Sequence, residues 1–107
     1  MTTRILFAAA IVIVTASAAH ANHSTNAADA FKEANDQMMQ NMMAPMSGDA
    51  DKDFVMMMMP HHQGATDMAN IELKYGKDKT LRAMAEAIVA TQKKEIEEMK
   101  KWQAAHP

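Results

Sequence analysis

Methionine and histidine are the residues of this chain with chemistry to offer. There are 13 methionines and five histidines, and no cysteine. Without cysteine, disulfides, thiolate metal sites and a cysteine nucleophile are excluded. Four methionines, 56 to 59, run directly into Pro60, His61 and His62. Thioether sulfur is a soft donor with no proton to lose, and imidazole serves copper well, so the pair favours Cu(I), with Ag(I) as its mimic and Cu(II) as an alternative, over Mg, Ca or Mn. On a helix, Met57 lies one turn before His61 and Met68 two turns after it, a spacing that lines all three along one inward face. His62 sits about 100° away, on the side of Met58. Three roles stay open for it: a metal position at the rim, a hydrogen bond across helices, or exposure. Methionine also fills awkward cores, so each of these residues taken singly reads as packing too. Four consecutive residues sweep about 300° of a helix, however, and cannot all face one core. A second group, Met38, Met39, Met42, Met43 and Met46, has the same property.

Glu72, Gln92 and Glu95 fall inside otherwise apolar stripes, where an unpartnered carboxylate is costly. They could orient a ligating His61 by accepting its free N–H, bind a harder metal through oxygen, or snorkel to water. Catalytic patterns are missing. There is no H-E-x-x-H, no Glu three places before His61 or His62 as a di-iron bundle requires, no phosphate loop and no Ser-His-Asp set. No enzymatic reaction is expected. With 11 basic and 13 acidic residues the net charge is −2, which provides no basis for nucleic-acid binding.

The elements that must position these residues are helical. Residues 1–21 read as an export leader, with Arg4, an apolar run from Ile5 to Val14 and an Ala19-His20-Ala21 cleavage pattern. The run is too short to cross about 30 Å of hydrocarbon. The processed protein is therefore expected outside the cytoplasm, in the periplasm or secreted, and not embedded in a membrane. Residues 22–26 form a polar tail, and 27–107 one helical domain. Apolar spacing predicts helices over about 27–44, 51–75 and 79–104. Pro45, Ser47 and Gly48 close the first, Asp49 or Asp51 caps the second, Gly76 stops it, and Asp78 caps the third. Pro60 predicts a kink within one continuous helix, because the stripe of Phe54, Met57, His61, Ala65, Met68 and Glu72 keeps its phase across it. The fold class is all-α, a small antiparallel bundle whose limited core points to a metal or a second copy as reinforcement. Met38 and Met42 from the first helix, and Met84 or Met99 from the third, would face the His61 line.

The string DFVMMMMPHHQGATDMANIELKYGKD, followed by TQKKEIEEMKKW, resembles the DUF305 family of exported bacterial proteins. Phe54, Met58, Pro60, His61, His62, Ala65, Met68, Ala69, Gln92, Glu95, Ile96 and Met99 match the family's pattern position by position. The resemblance implies a ferritin-like helical bundle and, from some members, periplasmic copper binding and resistance, with an exporter or chaperone as a partner. Family members are often longer or duplicated. A single copy here leaves a fourth helix unaccounted for and favours a homodimer. Two readings without a copper-storage role stay beside this one: a Met-rich module that grips a partner helix, and a ferritin-like metallo-oxidase.

Overall fold

The computed structural model describes residues 26–107, so the expected leader and residues 22–25 of the polar tail lie outside the described residues. Three helices account for nearly all of that span, and no strand occurs among the described residues. Helix α1 (Ala27–Asn41) starts where the Asn26 side chain accepts a hydrogen bond from the Asp29 amide. It ends earlier than the expected residue 44, with Met42 as its C-cap. Pro45 excludes an end at Ala44, since the residue before a proline is pushed out of the helical region.

Helix α2 (Ala50–Tyr75) is capped by Asp49, whose carboxylate accepts from the amides of Asp51 and Lys52. It runs unbroken through Pro60, in line with one continuous helix. At Gly76 the chain turns out, and its amide donates to the Glu72 carbonyl at 2.7 Å. Asp78 then caps α3 (Lys79–Ala105) by accepting from the Leu81 amide. Each helix thus begins on an Asn or Asp acceptor that satisfies amides left without intrahelical partners.

The three helices make the small all-α bundle that the spacing predicts, laid out with one helix in the middle. α2 lies between the other two helices, and α1 makes no contact with α3. α2 and α3 are antiparallel: the Lys52 ammonium donates to the Pro107 carbonyl at one end, and Arg82 donates to the Leu73 and Gly76 carbonyls at the other. Between them sits the main apolar cluster of Val55, Ile96 and Met99, with Met58, Met59 and Trp102 packed against it. Ala34 is the buried residue of α1. None of the described side chains is fully enclosed.

Candidate functional site

Two contacts define which way α2 faces. Gly64 lies against Met38 of α1 so closely that a Cβ there would sit 2.5 Å from the Met38 sulfur. His62 reaches α3, where its Nε2–H donates to a Glu95 carboxylate oxygen at 2.5 Å. Two residues along a helix turn about 200°, so α1 and α3 occupy nearly opposite sides of α2.

This division corrects the expected single inward stripe. His61 is exposed, whereas the His62 side chain is only 15 % exposed. The ring expected at the centre lies at an edge, and the ring left open among three roles makes the interhelical hydrogen bond. The apolar arc is shared between two neighbours, and the residue pairs that meet each neighbour are offset by one position from the predicted line. The same arrangement explains the four consecutive methionines. All of Met56, Met57, Met58 and Met59 are half-buried, because α2 is covered on two sides.

On the α1 side, Met57, His61 and Met68 all fall within about 60° of Gly64 around the helix. Along α2 the Gly64 seat of the Met38 thioether lies about one turn from His61 and from Met68, and about two turns from Met57. Met38, Met42, Met57 and Met68 are half-buried here. His61 makes no hydrogen bond among the described residues; its ring stands edge-on to that of His62, with centroids 6.2 Å apart. The signal that reveals this seat in the sequence is Gly64, the one residue without a side chain in the middle of α2. Periodicity alone does not mark it as the landing point of a methionine.

On the α3 side, Val55, Met58, Met59, His62, Thr66 and Ala69 cluster in direction. Met99 is buried against them from α3. Glu95 bonds His62 and not His61, so the expected orienting of His61 by Glu72 or Glu95 does not occur. The His62 Nδ1 is buried without a hydrogen-bond partner among the described residues; so is Oε1 of the half-buried Gln92. Glu72 is half-buried at the end of α2, its carboxylate folded back over Gly76, which explains a charge in that stripe. Met84 is 55 % exposed on α3 and lines a groove with Ala65, Met68 and Ala69 of α2.

Two charges at the periphery are tuned by their neighbours. The Asp53 carboxyl is held below the ordinary aspartate value, chiefly by the backbone N–H of Ser47, then by the Ser47 hydroxyl and the Gly48 amide. The hydrogen bond and charge of Asp36 raise Lys32 on the surface of α1. Among the described residues no three His, Asp or Glu side chains are grouped to hold a metal.

No helix among the described residues is long and apolar enough to cross a membrane. No curated protein matches the chain. A family described as a domain of unknown function, DUF305, matches residues 8–103. That span takes in all three helices nearly to the end of α3, and with it the Pro-His-His element and both of its walls. This chain therefore belongs to the DUF305 family.

Proposed function

We propose that the protein binds Cu(I), or Ag(I) in its place, for sequestration or transfer outside the cytoplasm, and that His61, Met38, Met57 and Met68 form the binding face. The observation that carries this reading is the Met38 sulfur on Gly64, which brings a thioether from a second helix to within one turn of an exposed imidazole. Thioether and neutral imidazole form a soft donor set. An exposed ring gives a metal a route in and out, which suits exchange with an exporter or chaperone better than permanent structural binding. Met42, Met58, Met99 and His62 supply neighbouring donors, with Met84 further out. Glu95 orients His62 in the manner of a carboxylate behind a ligating histidine.

Competition against a Cu(I) chelator tests the proposal. The wild type should hold Cu(I), and His61→Ala combined with Met38→Ala should weaken it by about tenfold or more, ~1.4 kcal/mol. Ag(I) should raise the melting temperature and Mg²⁺ should not, because an ion that binds only the folded chain stabilises it. Affinity no better than that of free methionine would sink the reading. The exposed Met39, Met43 and Met46 favour a second one, a Met-rich surface that grips a partner helix without metal. That reading gains if the wild type fails in the competition assay.

A further inference from the structure

Several thioethers stand outside the core altogether. Met39, Met43 and Met46 are 53 %, 81 % and 54 % exposed around the end of α1 and the turn that follows it, and Met84 is as open on α3. The remaining described methionines are half-buried or buried. Along α1 a single step turns the chain about 100°, which sets Met38 on Gly64 and Met39 in solvent.

We propose that Met39, Met43, Met46 and Met84 form a sacrificial oxidation site, which consumes hypohalous acid before it reaches the packed methionines. Thioether is the most readily oxidised side chain in a chain without cysteine. With hypochlorous acid, the sulfur lone pair attacks chlorine, the O–Cl bond breaks, and water hydrolyses the chlorosulfonium ion. The net products are sulfoxide, chloride and a proton. Sulfur is oxidised, and its electron pair passes to chlorine.

Position decides what the added oxygen does to the fold. At an exposed site it takes hydrogen bonds from water. At Met99, 9 % exposed, it would enter the cluster of Val55 and Ile96 without a partner. At Met38 there is no room for it on the Gly64 side, where a Cβ would already lie 2.5 Å from the sulfur. Access orders the reactions in the same sense, because attack requires the oxidant to approach the sulfur: Met43 first, then Met39, Met46 and Met84 together, and Met99 last. The chain holds no thiol to reverse the reaction, so a separate sulfoxide reductase must consume the product. Exposed sulfoxides are the ones such an enzyme reaches without unfolding its substrate. The inference stands apart from metal binding, and its test uses protein free of metal.

Hypochlorous acid is added slowly to the purified protein, one oxidant per exposed sulfur, and sulfoxide is mapped by peptide mass spectrometry. Oxygen should appear first at Met43, and at the exposed positions before Met38, Met57 or Met99, with helix content and melting temperature unchanged. The variant combining Met39→Leu, Met43→Leu, Met46→Leu and Met84→Leu keeps volume and helix propensity at open sites. In it the same dose should raise oxidation of Met38 and Met57 about twofold or more and lower the melting temperature. The wild-type map alone decides the order of attack. Equal oxidation of exposed and packed methionines in the wild type, a fall in its melting temperature at this dose, or packed methionines no more oxidised in the variant would each overturn the proposal.

Discussion

Gly64 leaves no room for a side chain where α1 rests on α2. An added methyl would lie 2.5 Å from the sulfur, 2.7 Å from Cγ and 2.9 Å from Cβ of Met38. The sulfur can swing away, but the Met38 Cβ moves only with α1. Overpacking of this kind costs about 1–3 kcal/mol, and the gain in helix propensity from Gly to Ala returns at most ~1 kcal/mol. Gly64→Ala should therefore lower the urea midpoint at unchanged slope, by a net amount on the order of 1 kcal/mol. It should also weaken Cu(I) binding if the Met38 thioether is a ligand. A variant as stable as the wild type would mean that α1 does not rest on α2 at this point. Two neighbouring histidines show the same dependence on direction. One bonds across an interface and the other meets solvent, because one step along a helix is about 100° of rotation.

Among the elements, the turn between α1 and α2 is held by one side chain. Asp53 accepts hydrogen bonds from the Ser47 amide, the Ser47 hydroxyl and the Gly48 amide, and so ties the turn to the first turn of α2. Gly48, with φ of +88°, takes a backbone conformation that side chains oppose, and the clasp sits around it. Folding lowers the Asp53 pKa, so its stabilisation is complete above the ordinary aspartate range and is lost as the pH falls through that range toward the lower folded value. Asp53→Asn should be less stable than the wild type at neutral pH, and the difference should shrink on acidification; urea midpoints in a pH series measure it. A difference independent of pH would assign the effect to something other than this carboxylate.

The three helices, the cap at Asp78 and the stop at Gly76 are local properties, set by residue types within a turn or two, and they were legible from spacing alone; for the cap of α2 spacing left Asp49 and Asp51 as alternatives, and Asp49 fills it. Also legible were the outward charges and the soft character of the donors. The facing of α2 was not. An apolar arc wide enough for two neighbours looks the same as one stripe centred on its mean, and His61 lies near that mean while the contacts are at Gly64 and His62. The early end of α1 is a smaller case, in which Pro45 acts on the residue before it and overrides the apolar pattern.

For the molecule as a whole, the order of attachment matters more than the number of helices. α2 and α3 share a cluster of Val55, Ile96 and Met99, a cross-strut between His62 and Glu95, and ties at both ends. α1 rests on α2 alone and contributes one buried residue. Regions with few buried apolar contacts open at the lowest free energy, without unfolding of the remainder. Amide hydrogen exchange should accordingly be fastest in α1 and slowest in the facing stretches of α2 and α3, and uniform protection would contradict the layered arrangement. If Met38 belongs to the binding face, one wall of that face is the most easily detached part of the protein. A captured ion could then leave through fraying of a single helix, at a rate set by how firmly residue 38 is seated and not by the global stability of the chain.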